Sequence, residues 1–138
     1  MLKIAHDVLY NHPLKENHRF PMIKYELIPE QLIMESTCVE NNFFKPGLIS
    51  DKNILLTHDE IYYKKLRNQQ LNKKEIRAIG FPMSKELIER EKIIVQGTIE
   101  SALYSIKHGI SMNIAGGTHH AFTNRAEAFC LLNDQGIA

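Results

Sequence analysis

The sequence predicts an α/β fold, in which helices cover a β-sheet. Apolar residues recur at helical spacing between Ser84 and Lys107, and an apolar run follows within a few residues at 110–114. The short, partly alternating segment at residues 2–5 is a candidate for the first strand. A helix that leads directly into a strand is typical of a sheet covered by helices.

The composition indicates one globular domain without a nucleic-acid or membrane footprint. The chain has 138 residues, of which 43% are hydrophobic and 24% charged, and its formal net charge is +1. This charge is too small to predict a nucleic-acid partner, and no apolar run approaches the length of a membrane span. Cys38 and Cys130 lie far apart and are expected to be free thiols, so we expect a cytoplasmic protein.

The first half of the chain is predicted to alternate between loops and helices. Residues 10–18 and 41–51 contain proline, glycine or several polar residues, which favour connections. Pro21 suits the first turn of a helix, and Pro29 is predicted to begin a further helical piece. Residues 59–66 are predicted to be helical because acidic residues precede basic ones, an order that complements the helix dipole.

The second half contains the clearest predicted element, a helix over residues 84–107. Ser84 is a suitable N-terminal cap, and Gly109 follows the last apolar positions as a normal helix stop. Gly97 is a weak point inside this helix and costs about 1 kcal/mol relative to alanine. Residues 68–81 are polar and are predicted to form a loop.

A glycine-led loop with two adjacent histidines follows the predicted strand 110–114. Gly116 and Gly117 permit a sharp turn and a close approach, and His119 and His120 come directly afterwards. Ligands of open α/β sheets bind outside the carboxyl ends of the strands, where this loop is expected to lie. One neutral imidazole can take a proton from water while the other donates a proton to a leaving group.

The remaining polar residues give no metal site by their spacing. The chain contains no CxxC, HExxH or Asp-x-His motif. The four aspartates are scattered, at Asp7, Asp51, Asp59 and Asp134. Cys130 is predicted to be a small buried apolar residue rather than a nucleophile or ligand. Five histidines are predicted to be surface or helix-end residues, namely His6, His12, His18, His58 and His108.

Two motifs resemble a known family. Residues 116–121 read GGTHHA and residues 128–134 read AFCLLND, which resembles the GG-x-HHA and GFC-x-x-ND signature of the histone deacetylase family of zinc-dependent amidohydrolases. Residues 12–15 and 18–22 are similar to the first active-site loop of that family. The stretch 81–117 is most similar to its bacterial, class IV-like branch.

The resemblance implies an arginase/deacetylase-like fold, a parallel sheet with helices on both faces, and a zinc cofactor. It implies that His120 is the general base on a zinc-bound water and that His119 is its electrostatic or acid partner. Phe129 would form a wall of the substrate tunnel, and Gly117 would shape the floor of the active site. Arg19 would line the internal channel proposed for acetate.

The sequence departs from the family pattern in two respects. Ala128 stands where the family usually has glycine before the Phe-Cys pair. The zinc ligands of the family come later than Ala138, so residues 1–138 are expected to be the amino-terminal part of a single catalytic domain. Such a piece, made alone, is expected to be poorly soluble, to bind little zinc and to lack deacetylase activity.

These observations favour hydrolysis of an N-acetyl amide, on acetyl-lysine or a similar acylated amine, with release of acetate. One alternative is an amidohydrolase of the same fold that acts on acetylpolyamines or other small amides. The other alternative is a non-catalytic, truncated interaction module.

Overall fold

The computed structural model describes all residues from Met1 to Ala138 and contains three strands and six α-helices. The strands are β1 (Lys3–Ala5), β2 (Phe43–Phe44) and β3 (Ser111–Asn113). The helices are α1 (Lys24–Met34), α2 (Asp51–Ile54), α3 (Glu60–Arg67), α4 (Lys73–Ile79), α5 (Lys85–His108) and α6 (Asp134–Ile137). Short 3₁₀ turns span Val8–Tyr10 and Glu40–Asn42.

The three strands form one parallel sheet in the order β2-β1-β3. Ile4 of the central strand is paired with Phe43 on one side and with Met112 on the other. The central strand is buried, whereas β3 lies at an edge and pairs with β1 alone. The parallel sheet with its helices confirms the predicted α/β class.

Helix α5 confirms the helix predicted over residues 84–107 and packs against β1, β3 and α6. The Ser84 side chain caps its first turn by accepting from the N–H of Leu87 at 3.0 Å. Gly109 ends the helix at a φ of 85°. The buried face of α5 contributes to the main core. No helix of the chain is both long enough and apolar enough to cross a membrane.

Helix α3 confirms the helix predicted over residues 59–66. The Asp59 side chain accepts from the N–H of Tyr62 at 3.0 Å and thereby caps the first turn. The last turn contains three basic residues, Lys64, Lys65 and Arg67.

The prediction that Pro29 begins a new helical piece is wrong, because α1 runs without a break through Pro29. Proline lacks an N–H, so the carbonyl of Tyr25, four residues earlier, loses its helical donor. The Nε2 atom of His6 lies 3.2 Å from this carbonyl and takes the place of that donor. A tertiary contact therefore satisfies the acceptor that the proline leaves open.

Two regions predicted to be loops contain regular structure. Residues 41–51 include β2 and the first residue of α2, and residues 68–81 include α4. A capping box begins α4: Asn72 accepts from the N–H of Glu75 at 3.0 Å, and the Glu75 carboxylate accepts from the N–H of Asn72 at 2.7 Å. Gly80 ends α4 in the left-handed conformation, at a φ of 84°.

Candidate active site at the carboxyl edge of the sheet

The loop formed by residues 116–123, here called the histidine loop, follows the carboxyl end of β3. The N–H of Ile114 donates to the carbonyl of Ala5 at 3.2 Å, so the chain leaves the sheet beside the end of β1. Both histidines predicted from the sequence, His119 and His120, lie on this loop and are exposed. The position agrees with the rule that ligands of parallel sheets bind at this edge.

The structure brings the two imidazoles together. Their ring centroids are 4.4 Å apart and the ring planes differ by 38°. The Nδ1 atom of His119 lies 2.8 Å from the carbonyl oxygen of Gly117. A carbonyl oxygen only accepts, so Nδ1 must carry the proton, and in a neutral ring Nε2 keeps its lone pair. The catalytic roles of His119 and His120 stay predictions.

Asp134 holds the first half of the histidine loop by hydrogen bonds to its backbone. Its side chain is fully buried and accepts from the N–H of Gly117 at 2.9 Å and from the N–H of Thr118 at 2.7 Å. The Thr98 hydroxyl of α5 donates to the same carboxylate at 2.6 Å. The Thr118 hydroxyl donates to the carbonyl of Leu132 at 2.6 Å. These bonds fix the backbone immediately before His119.

The two glycines of the loop are required for different reasons. Gly117 has a φ of 92° with open space around it, so its backbone conformation is what favours glycine. A side chain on Gly116 would place its Cβ 3.1 Å from Asp134 Oδ2 and 3.2 Å from Thr98 Oγ1. Gly116 therefore permits the close approach between the loop and the buried carboxylate.

Asn133 and His58 hold the second half of the histidine loop. The Asn133 amide group donates to the carbonyl of Ala121 at 3.0 Å, and its backbone N–H donates to Nε2 of His58 at 3.0 Å. Because Nε2 of His58 accepts, the ring proton lies on Nδ1, which is buried near the backbone of Phe122 and Thr123 but has no hydrogen-bond partner of good geometry. Burial lowers the pKa of His58, which favours this neutral form.

His12 and His58 are predicted to be surface or helix-end residues, and the surface part of that prediction is wrong, although His58 directly precedes the cap of α3. His58 is only 3% exposed and His12 only 9%. Burial, with the nearby charge of Arg90, lowers the pKa of His12. His58 becomes buried because its ring packs beneath the histidine loop, a tertiary contact that leaves no trace in the local pattern. His108 is exposed at the end of α5, as predicted.

A chain of hydrogen bonds connects the amino-terminal segment with Asp134. The Tyr10 hydroxyl donates to Asn113 at 3.0 Å, and the Asn113 amide donates to the Thr98 hydroxyl at 2.9 Å, which in turn donates to Asp134. A Cβ on Gly97 would lie 2.6 Å from the Tyr10 hydroxyl. The glycine that weakens α5 therefore makes room for this network.

Phe129 follows a turn that places two non-glycine residues in the left-handed region. The φ angles are 49° at Ala128 and 68° at Phe129. Their N–H groups donate to the carbonyls of Ala78 and Ile79 at 3.0 and 2.7 Å. The end of α4 thus fixes the turn, and it explains physically why glycine suits position 128.

The Phe129 ring lies in a cluster of aromatic and cationic side chains. The ring centroids of Phe20 and Phe81 are each 4.9 Å from that of Phe129. The Arg19 guanidinium lies 4.8 Å above the Phe129 ring, a cation–π contact. A Cβ on Gly80 would come within 2.8 Å of the ring. The tunnel role of Phe129 and the channel role of Arg19 stay predictions.

Cys130 is buried and free, as predicted from the sequence. Burial raises the pKa of the thiol, partly offset by the backbone N–H of His120 that faces the sulfur. A thiol with a raised pKa stays protonated at neutral pH, which disfavours a nucleophile or a metal-bound thiolate.

Residues 1–138 do not supply a metal site of their own. The chain contains no group of three histidine, cysteine, aspartate or glutamate side chains that could hold a metal ion. An ion beside the imidazole pair would therefore need ligands from outside these residues. Gly117 borders an open pocket of about 450 Å³ shared with Thr98 and Asp134.

The structure defines the class of protein as an α/β protein with a parallel sheet and an exposed imidazole pair at the edge where ligands of such sheets bind. Comparison with known families identifies the family within this class, because residues 13–138 match the family described as Histone deacetylase domain. The chain belongs to the histone deacetylase family.

Individual relatives match nearly the whole chain. An uncharacterized protein of Picosynechococcus is 36% identical over 129 residues, which cover 94% of this chain and 43% of that protein. The acetoin utilization protein AcuC of Staphylococcus aureus is 23% identical over 141 residues, which cover 95% of this chain and 36% of that protein. The chain thus spans less than half the length of these curated relatives.

Solved structures share the fold. The crystal structure of an HDAC homolog from Aquifex aeolicus superposes with a TM-score of 0.75 and 23% identity, covering 99% of this chain and 39% of the other. An HDAC homolog complexed with SAHA gives the same TM-score, 0.75, with 24% identity and the same coverage.

Proposed function

We propose that the protein hydrolyses an N-acetyl amide, on acetyl-lysine or a similar acylated amine, and releases acetate. The observation that carries this proposal is the exposed pair of imidazoles at the carboxyl edge of the sheet. Their ring centroids are 4.4 Å apart, and hydrogen bonds from Asp134 and Asn133 hold their loop. Membership of the histone deacetylase family supports it. The HDAC homolog with bound SAHA supports a substrate that resembles acetyl-lysine.

The side chains of the pair have distinct tasks in this proposal. His120 acts as the general base that takes a proton from the attacking water. His119 is its electrostatic or acid partner: with Nδ1 bonded to the Gly117 carbonyl, its Nε2 faces away from that bond. In the protonated ring, Nε2 carries the proton that the departing amine needs.

Other residues are proposed to contact the substrate or the product. The half-buried ring of Phe129 offers an apolar face to the methylene groups of an acyl-lysine side chain. Gly117 leaves the floor of the site free of side-chain bulk. Arg19 supplies a fixed positive charge beside Phe129, suited to a carboxylate such as acetate.

We propose that the whole protein binds zinc, although residues 1–138 contain no group of side chains that could hold it. We propose that its ligands come from beyond Ala138, and that these residues form the amino-terminal part of one catalytic domain. The share of the relatives covered, 43% and 36%, supports this domain assignment. A cytoplasmic location is proposed from the two free, buried cysteines.

Measuring acetate release by the protein at its full encoded length tests the proposed activity. An acetyl-lysine peptide, an acetylated polyamine and the non-acetylated peptide serve as substrates and control. We expect release from the acetyl-lysine peptide; preferential release from the polyamine would instead favour the small-amide alternative. Absence of acetate from both substrates would contradict the proposal and favour an interaction module.

A further inference from the structure

We infer that Asn133 and Asp134 form a clamp that positions the imidazole pair for proton transfer. The two residues are adjacent at the start of α6, and each holds one flank of the histidine loop. The consequence for turnover rests on the proposed function, whereas the clamp itself rests on hydrogen bonds within the chain.

The first flank is held by a buried charge. Asp134 is 0% exposed and makes no ion pair, so its charge is met by N–H and O–H donors alone. Two of these donors are the consecutive backbone N–H groups of Gly117 and Thr118. Charge-assisted bonds of this kind are stronger than neutral ones, so the backbone before His119 has little freedom.

One peptide group connects the Asp134 carboxylate with the His119 ring. The N–H of Thr118, which donates to Asp134, and the carbonyl of Gly117, which faces Nδ1 of His119, belong to a single peptide unit. Hydrogen bonds in series polarise one another, so the carboxylate strengthens the carbonyl as an acceptor for the ring proton. Asp134 is therefore a positioning residue that acts on His119 without touching it.

The second flank is held by the neighbouring amide. Asn133 donates to the carbonyl of Ala121, the residue directly after His120. The other side-chain atom, Oδ1, accepts from the N–H of Gly136 and caps α6, while His58 accepts from the Asn133 backbone. Asn133 therefore makes three hydrogen bonds, and the hydrogen bonds of Asp134 and Asn133 hold the loop on either side of the imidazole pair.

Two isosteric substitutions separate the flanks. Asp134→Asn removes the charge and replaces one acceptor oxygen with a donor. Asn133→Asp keeps the cap of α6, because aspartate caps as well as asparagine, but it turns an oxygen toward the Ala121 carbonyl. Asp51→Asn is the control, because that carboxylate likewise accepts several hydrogen bonds, here from the side chains of Tyr63, Arg67 and Lys92, and lies outside the histidine loop.

The experiment uses the protein at its full encoded length, with ¹⁵N-labelled histidine and an acetyl-lysine peptide as substrate. We expect each clamp variant to move the imidazole resonances of His119 and His120 and to lower kcat by about tenfold or more, with KM within about twofold. The Asp51→Asn control should leave both readouts at wild-type values. Wild-type resonances and kcat in both clamp variants would overturn the inference.

Imidazole resonances are measured without substrate turnover, so the clamp and the proposed function are tested by different measurements. If the wild type releases no acetate, the proposed function fails while the imidazole resonances still judge the clamp. If Asp134→Asn does not fold, Asn133→Asp decides the question, because it keeps the helix cap and replaces the donor to the Ala121 carbonyl with a charged acceptor oxygen. Unmoved resonances in that variant would then contradict the clamp.

Discussion

Ala128 shows how one residue departs from the conformation its side chain prefers. Its φ of 49° lies in the left-handed region, and the next residue, Phe129, is also left-handed, at 68°. A non-glycine residue in this region costs roughly 1–2 kcal/mol. The position carries this strain because the N–H groups of both residues are bonded to the end of α4.

Ala128→Gly is expected to stabilise the protein by up to about 1 kcal/mol, because glycine adopts the left-handed conformation without strain but gains freedom when unfolded. Urea unfolding measures the change. Ala102→Gly, at an exposed position inside α5, is the matched control and is expected to destabilise by about 1 kcal/mol. Equal losses of stability in both variants would show that position 128 is not strained.

Asp51 gives a prediction of pH dependence. Hydrogen bonds from Lys92, Tyr63 and Arg67 lower its pKa to about 2, from an ordinary value near 4. A depressed carboxyl pKa contributes stability that is full above about pH 4 and is lost as the pH falls toward 2.

The difference in unfolding free energy between the wild type and Asp51→Asn should therefore shrink between about pH 5 and pH 2.5. Urea unfolding at the two pH values measures this difference. A difference that stays constant across that range would show that the Asp51 carboxylate has an ordinary pKa.

At the scale of elements, helix α4 matters for the site because its last carbonyls, those of Ala78 and Ile79, hold the Phe129 turn. The helix is short, with seven residues, so its stability depends strongly on its cap. The Asn72 capping box therefore influences a residue more than fifty positions later in the chain, through the end of the helix.

Asn72→Ala is expected to destabilise the protein by about 1 kcal/mol and to speed hydrogen exchange at the N–H groups of Ala128 and Phe129. Hydrogen exchange read by NMR measures the local effect. Asn41→Ala, at an exposed position without side-chain hydrogen bonds in the structure, is the control. Unchanged exchange at both N–H groups in Asn72→Ala would mean that α4 does not support the turn.

The elements differ in how well the sequence predicted them. Helix α5 was predictable because a cap, a long apolar period and a terminal glycine all agree. Helix α4 was missed because few of its residues are apolar, although the Asn72–Glu75 capping box signalled it. Strand β2 has two residues, too few for any period, and it exists only through its pairing with β1.

At the scale of the whole molecule, exposed apolar side chains lie on α5 and on the edge strand β3. Ile106 is 84% exposed, Leu103 62% and Met112 54%, and the outer edge of β3 has no partner strand within residues 1–138. An unpaired strand edge beside exposed apolar side chains favours association between molecules.

Residues 1–138 produced alone are therefore expected to self-associate. Light scattering across a concentration series measures this association. The double substitution Ile106→Glu with Met112→Lys should reduce it, whereas Met34→Lys, at another exposed apolar position on α1, should not. A monomer at every concentration would contradict the expectation.

The candidate site was only partly predictable from the sequence. Adjacent histidines after glycines, with the Phe-Cys segment, are visible as a local motif. Asp134 instead looked like a scattered aspartate, because its donors Thr118 and Thr98 lie 16 and 36 residues away and meet it only in the fold. The contact of His58 with the site was not predicted for the same reason, since its hydrogen bond with Asn133 spans 75 residues.

The most direct test of the account is the turnover of His120→Ala in the protein at its full encoded length, measured with an acetyl-lysine peptide. We predict that kcat falls by at least about a hundredfold while the bound zinc per molecule stays at the wild-type level. His108→Ala, an exposed histidine at the end of α5, is the control and should keep full activity. Near-normal turnover in His120→Ala would contradict the proposed role of the imidazole pair.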